Sequence, residues 1–344
     1  MILNERKERV LEAIVEDYIM TAEPVSSRAI ARKYQLGVSP ATIRNEMADL
    51  EEMGLIEQPH TSAGRIPSQQ GYRYYVDRLM RKSCLTAREE TLFRALFAQQ
   101  AWEVAMITQK TIKLATQLTD YLAFLSGPQL AHAALQRIQF IPLAPEKALL
   151  VIVAETGWVE SKIVDLPVGV SSGELERITQ VFNAYFRGMN FAQITRTVLQ
   201  SVYDELSRQR QIIDLTLEII ESVLNRESGE GLYVGGARNI LKQPEYRDIR
   251  NVRQLLDLVE EESIFRTLLT ETEPTGINVK IGKENKYSEV QNYSVITAAY
   301  TLGGNVVGAF GLMGPMRMNY ARAIAIVEYI TQTLSELLSR SCSL

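Results

Sequence analysis

The sequence predicts an α+β multidomain protein, and three observations carry that prediction. Short helical patterns, punctuated by turn residues and closed by a hairpin, fill residues 1–82. Three strand-like runs crowd together between Gln136 and Leu166, and strands alternate with helices towards the C-terminus. The 344 residues accommodate two or three domains of roughly 100–200 residues each. Hydrophobic residues make up 46% of the chain, enough to build packed cores, which excludes a disordered polypeptide.

The first block can be justified element by element. Asn4 is placed to cap a helix whose apolar stripe is Val10, Leu11, Ile14, Val15, Tyr18 and Ile19, and Thr21-Ala22-Glu23-Pro24 ends it. Ser26 or Ser27 caps a short second helix reaching Tyr34, with Ala29 and Ile30 inward. Gly37 supplies a turn in which positive φ costs little. Ser39 caps a third helix and Pro40 takes its first position, where a missing N–H is harmless. Ile43, Met47 and Leu50 form its buried stripe, and Gly54 stops it. A strand over 55–60, a Thr61-Ser62-Ala63-Gly64 turn and a return through Arg65-Ile66-Pro67 make a hairpin. Ser68 then caps a helix carrying Tyr72, Tyr75, Val76 and Leu79. Two helices, a turn, a helix and a hairpin are the order of a winged helix-turn-helix, predicted for residues 1–82.

From about Thr86 to Leu125 the pattern is one or two helices with few breakers. Strands follow at Gln136–Ile141, Ala148–Ala154 and Trp158–Leu166, separated by Pro142 with Pro145 and by Glu155-Thr156-Gly157. Helices at about Ser172–Arg187 and Phe191–Arg208 complete a self-contained α/β unit with a three-stranded antiparallel sheet over 133–208. Beyond it come a helix over Gln211–Asn225, a short strand Leu232-Tyr233-Val234 and a helix around Val252–Leu269. Strands at Ile277–Ile281, Tyr293–Tyr300 and Asn305–Met313 precede a long amphipathic helix, Asn319–Leu338. Strands flanked by helices at both ends point to a discontinuous GAF-like domain, 86–132 with 209–344, into which 133–208 is inserted.

Lys and Arg number 37 against 41 Asp and Glu, a formal net charge of −4 that, taken whole, argues against a nucleic-acid binder. The distribution argues the other way. Residues 26–47 carry four bases against one acid, and 61–82 carry five against one. The acids gather instead in 1–25 and 48–60. The basic segments are the helix-turn-helix and the wing with its following helix, the elements expected to face a duplex.

The third helix places Ser39, Thr42, Arg44 and Asn45 in its first two turns, off the apolar stripe. Arginine bridges guanine O6 and N7 in the major groove and asparagine pairs with adenine N6 and N7. Ser39, with the helix N-terminus, suits a phosphate. The wing, His60-Thr61-Ser62-Ala63-Gly64-Arg65, joins small residues to one cation, which suits backbone or minor-groove contact. Tyr72, Tyr74 and Tyr75 interleave with Arg73 and Arg78, but tyrosines at helical spacing are expected in the core.

Catalytic readings find little support. Gly303-Gly304 with Gly308 and Gly311 lacks the Lys-Ser/Thr of a phosphate loop and fits a hairpin. Glu260-Glu261-Glu262 reads as a solvated helix face, His132 has no visible partners, and Met313, Met316 and Met318 read as packing. Cys84 and Cys342 exclude a disulfide framework, and two histidines do not make a metal site. No enzyme activity and no cofactor are expected. The N-terminus lacks a signal-peptide apolar stretch, and no run approaches the roughly 20 apolar residues of a membrane span, so a cytoplasmic location is expected.

Three N-terminal segments together resemble the bacterial heat-inducible transcription repressor family HrcA: Glu23-Pro24-Val25-Ser26-Ser27-Arg28, the stretch from Ser39 to Glu51, and His60-Thr61-Ser62-Ala63-Gly64-Arg65-Ile66-Pro67. Tyr233-Val234-Gly235-Gly236 and the Gly311–Pro315 stretch are similar to that family as well, so the resemblance spans the chain. It implies a negative regulator of chaperone operons that binds double-stranded DNA at an inverted-repeat operator as a homodimer. It also implies that 133–208 is a dimerising domain and that a GroEL-type chaperonin keeps the repressor competent, with heat releasing it. A second reading keeps the winged helix but gives the GAF-like domain a small metabolite to sense.

Overall fold

A computed structural model describes residues 3–60, 63–97, 104–127, 133–155, 159–194, 212, 214, 216, 219, 231–302 and 304–341. The N-terminal elements form where their caps are written. Helix α1 (Glu5–Thr21) starts at Asn4, whose side chain accepts from the Lys7 N–H at 2.8 Å. The hydroxyl of Ser26, not Ser27, caps α2 (Ser27–Lys33), and Gly37 makes the following turn at φ 72°. Ser39 caps α3 (Pro40–Glu52), which carries Pro40 at its start. Strands β1 (Ile56–Glu57) and β2 (Ile66–Pro67) pair antiparallel as the wing. Helix α4 (Gln69–Tyr74) begins at Ser68 and runs on as a π-helical turn over Tyr75–Leu79. Tyr72 and Tyr75 are buried, as their spacing predicts.

Two helices, α5 (Ala87–Phe97) and α6 (Val104–Thr119), follow. The helical expectation for the end of this block is corrected: Leu122–Ser126 is a strand, β3. Next come β4 (Leu135–Ala144), β5 (Lys147–Ala154) and β6 (Val159–Asp165), an antiparallel meander, and α7 (Ser172–Phe186). The helix expected from Phe191 is described only as a single turn, Phe191–Gln193, and its remainder lies outside the described residues. Of the expected 211–225 helix, residues 212, 214, 216 and 219 are described, all helical.

Strand β7 (Leu232–Gly235) leads to a short helix α8 (Ala237–Ile240), and the single helix expected near 252–269 is two, α9 (Ile249–Glu260) and α10 (Glu262–Thr270). Glu261 separates them with a non-helical backbone, φ −91° and ψ 73°. Strands β8 (Ile277–Ile281), β9 (Tyr293–Leu302) and β10 (Asn305–Pro315) and helix α11 (Tyr320–Ser341) complete the described chain.

One five-stranded antiparallel sheet runs β7-β3-β10-β9-β8, so its strands come from both sides of the β4–α7 unit in sequence. Both faces are covered. Ala123, Leu125, Ile296 and Phe310 join the core that α11 closes, while Leu122, Phe124, Val295 and Met313 join the core under α9 and α10. A strand buried on both faces is apolar at every position, and for that reason Leu122-Ala123-Phe124-Leu125 carries no alternation to betray it. The β4–α7 unit has a separate core, with Ile138, Phe140, Leu150 and Ile152 from the sheet facing Ile178, Phe182 and Phe186 from α7. The first core, by contrast, is continuous from Val10, Ile14 and Ile43 of the winged helix to Tyr320 and Ile326 of α11. Met313 and Met318 are fully buried, on opposite faces of the sheet, and Met316 packs against the core that holds Met318, so all three serve packing as expected.

Candidate nucleic-acid interface

The geometry of α3 follows from two competing demands on its faces. Ile43, Met47 and Leu50 must be buried, which turns Arg44 and Asn45 outward into solvent. Among the described residues, neither side chain makes a hydrogen bond or ion pair, so their donors and acceptors are open to a ligand. Ser39 is committed locally: its oxygen accepts from the Thr42 N–H at 3.1 Å and shares a hydroxyl contact with Thr42 Oγ1 at 3.0 Å. This capping leaves the α3 N-terminus presented beside Arg44, where anion binding is favoured.

Two acids of α3, Glu46 and Asp49, point elsewhere. Glu46 is buried against α1, where Lys7 Nζ lies 2.9 Å from it and 2.9 Å from Asp49. Arg6 lies 3.4 Å from Glu46. Hydrogen bonding to Asp49 and then Glu46 holds the Lys7 ammonium above its ordinary range. Glu46 and Asp49 are neutralised on the face turned to α1, which leaves Arg44 the only solvent-facing charge in the first two turns of the helix.

The wing is pinned at its base. Val25 N donates to Arg65 O at 2.8 Å and Arg65 N to Val25 O at 2.9 Å, tying the hairpin to the residue that begins the helix-turn-helix. Gly64 permits that approach, since a Cβ there would meet Val25 O at 2.4 Å. Gly64 therefore has a structural task. Arg65 also turns its guanidinium onto Glu51, with Nε at 2.9 Å and Nη2 at 2.8 Å from one carboxylate oxygen. His60 is exposed at the far end of the hairpin, where its carbonyl accepts from the Ala63 N–H. Thr61 and Ser62, two candidate contacts, lie outside the described residues.

One expectation about the basic segments is corrected. Arg73, counted with the wing as facing a duplex, turns to the C-terminal body and binds Glu284 and the Val279 carbonyl. Arg28 and Arg32 stand exposed on α2, and reasoning centred on α3 passes over them. The signal for them is the surplus of bases in 26–47.

Among the described residues, no group of three or more His, Cys, Asp or Glu is arranged to hold a metal ion, and no helix is long and apolar enough to cross a membrane. Comparison with known proteins adds the kinship. Residues 2–77 match the family described as winged helix-turn-helix transcription repressor, HrcA DNA-binding, and residues 106–324 match the HrcA protein C terminal domain. The chain is 45% identical over 341 residues to the heat-inducible transcription repressor HrcA of Moorella thermoacetica, covering 99% of both. It is 44% identical to the HrcA of Pelotomaculum thermopropionicum over 99% of this chain and 98% of that relative. A crystal structure described as a hypothetical protein at 2.2 Å resolution shares the fold, with a TM-score of 0.69, 27% identity, and 99% of this chain and 100% of that one covered.

Proposed function

The chain belongs to the HrcA family of heat-inducible transcription repressors, and from that premise we propose how it acts: as a homodimer that binds an inverted-repeat operator upstream of chaperone genes and shuts them off until heat releases it. The observation that carries the DNA-reading step is Arg44 and Asn45, solvent-facing and unpaired among the described residues, on a capped helix whose Glu46 and Asp49 are turned back onto α1. Arg44, Asn45 and Thr42 read base edges in the major groove, and Ser39 with the helix N-terminus holds a phosphate. The wing residues His60, Thr61, Ser62 and Arg65 lie along the backbone or minor groove, with Gly64 keeping the wing seated.

The proposed architecture is a winged helix over 1–82, a GAF-like body over 86–132 and 209–344, and a dimerising insertion over 133–208. What supports dimerisation through the insertion is the outer face of its sheet. Ile141, Leu149 and Ile163 sit side by side across three strands, and Ile163 is 60% exposed although fully apolar. Replacing Ile163 with Lys should convert dimer to monomer in sedimentation; an unchanged dimer would place the interface elsewhere. Kinship supports a GroEL-type chaperonin as the partner that keeps the repressor competent in the cytoplasm. Operator affinity measured against temperature, with and without chaperonin at fixed salt, tests that step, and an affinity indifferent to both would overturn it.

Footprinting on chromosomal DNA tests the whole proposal. Two protected half-sites related by a dyad, upstream of chaperone genes, are the expected result. Protection of a single asymmetric site would refute the dimeric reading.

A further inference from the structure

Helix α1 has a C-terminus that its own sequence leaves incomplete. Glu5 and Glu8 complement the dipole at its start, but its last turn carries no base. The carbonyl of Ile19 lacks its helical partner, because the Glu23 N–H donates to Thr21 Oγ1 instead. The missing cation arrives from 298 residues away: Arg317 Nη1 donates to Ile19 O at 3.0 Å.

Arg317 stands between β10 and α11 in the body, and its side chain is only 9% exposed. Its other donors are spent on a single neighbouring segment. Nε reaches Glu245 Oε1 at 2.5 Å, and Nη2 reaches Glu245 Oε2 at 3.0 Å and Gln243 Oε1 at 2.7 Å. A planar guanidinium held in this fork allows little rotation, unlike an ammonium on a flexible stem. One side chain thus joins three parts: the C-terminus of α1, the 243–245 turn and the entry to α11. A second contact lies on α4, where Arg73 binds Glu284 and Val279 O, and Gln69 accepts from the Lys283 N–H at 2.9 Å. Between the two contacts Tyr72 packs on Tyr320, with ring centroids 5.9 Å apart. A domain joined to a body only by apolar packing can slide. One held at two forked arginines has a set angle.

We propose that Arg317 is a positioning residue for operator recognition: it fixes the angle at which the winged helix leaves the body, and thereby the half-site spacing that a dimer accepts. Arg317 touches no DNA in this role. The inference rests on the reading of a dimer on an inverted repeat. In such a dimer each half-site must meet a recognition helix at one rotational setting, and a single base-pair change in spacing turns one half-site by about a tenth of a turn.

The test uses the full chain and a series of duplexes. Selection from random duplexes supplies the preferred inverted repeat, whose half-sites are then spaced by single base-pair steps across one helical turn. When spacing forbids simultaneous engagement, the second contact is lost, and wild-type affinity should fall roughly 100-fold from its best spacing. In Arg317→Ala the profile should flatten to within roughly threefold and peak about tenfold below wild type, because a loose winged helix spreads its effective concentration over many settings. Affinity for a duplex with one half-site should stay within about twofold, since the reading helix is untouched. Glu245→Gln, which keeps the shape and removes the charge facing Arg317, should broaden the profile in the same direction and serves if the alanine variant does not fold. Profiles of both variants that superimpose on wild type would overturn the inference while leaving the dimer reading intact. A wild-type protein indifferent to spacing would overturn both.

Discussion

Glu51→Ala separates two roles for Arg65, brace of the wing and contact to the backbone of DNA. Nε and Nη2 of Arg65 both address one carboxylate oxygen of Glu51, at 2.9 and 2.8 Å. Neither partner is deeply buried, with side chains 22% and 35% exposed, so the pair contributes only about 0.2–1 kcal/mol to folding. The wing also has its backbone pair with Val25, which the substitution leaves in place. Removing Glu51 therefore frees a guanidinium at an intact wing and deletes a carboxylate that would repel phosphate. One further phosphate neutralised steepens the slope of log K against log salt by about 0.9. Over a fourfold salt range, from about 50 to about 200 mM, the variant should lose roughly 3.5-fold more affinity than wild type loses. Its binding at the low-salt end should be the tighter of the two. Anisotropy of a labelled operator duplex across that range measures the slope, and a thermal melt measures the cost to folding. Weaker binding with an unchanged slope would show that Arg65 acts as a brace alone.

Other substitutions probe the remaining claims. Arg44→Ala should cost roughly 1–3 kcal/mol of operator binding and relax base preference at one position of each half-site, read by titrating base-substituted duplexes; undiminished selectivity would remove α3 from the reading role. Phe124→Ala, which empties the space against Phe265 at 5.2 Å between centroids, should lower stability by about 3–5 kcal/mol in urea denaturation. A loss under about 1 kcal/mol would contradict the placement of β3 at the centre of the sheet. Lys286, then Lys280, hold the Glu271 carboxyl below its ordinary 4.5. A carboxyl depressed in the folded state stabilises above its unfolded value and ceases to as pH falls through the folded one. The urea-midpoint gap between wild type and Glu271→Gln should therefore be full near about pH 7 and close as pH drops below about 4.5; a gap constant with pH would exclude the ion pairs as its origin.

The elements written in short-range chemistry were legible without the fold. Asn4, Ser26, Ser39 and Ser68 each cap a helix by accepting from an N–H three residues on, a contact that depends on nothing distant. The three-stranded sheet was legible because proline and glycine separate its strands and one face alternates, as in the buried Ala148, Leu150, Ile152 and Ala154. Strand β3 was not, because its partners are β10, far along the chain, and β7, and its burial on both faces erases the period of two. The break between α9 and α10 was hidden for a different reason. Glu261 is an ordinary helix former, and only the packing of Leu258 and Ile264 into the same core requires the chain to turn there.

Charge in this molecule has to be assigned to faces before it bears on binding. The count over 61–82 credits the wing region with five bases, yet Arg65 is on Glu51 and Arg73 is on Glu284, which leaves Arg78, Arg81 and Lys82 exposed. The count over 48–60 charges the same module with four acids, yet Asp49 is bound by Lys7 and Glu51 by Arg65. Surplus and deficit shrink together once the internal pairs are removed. What remains on the helix-turn-helix, exposed and without an ion pair among the described residues, is Arg28, Arg32 and Arg44, with Glu52 at the far end of α3. Spacing along α3 was sufficient to place Arg44 outward, because an apolar stripe at helical period dictates its opposite face. Pairing across 14 residues, as in Arg65 with Glu51, or across 211, as in Arg73 with Glu284, has no such period, so composition registers its sign and only the fold registers its direction.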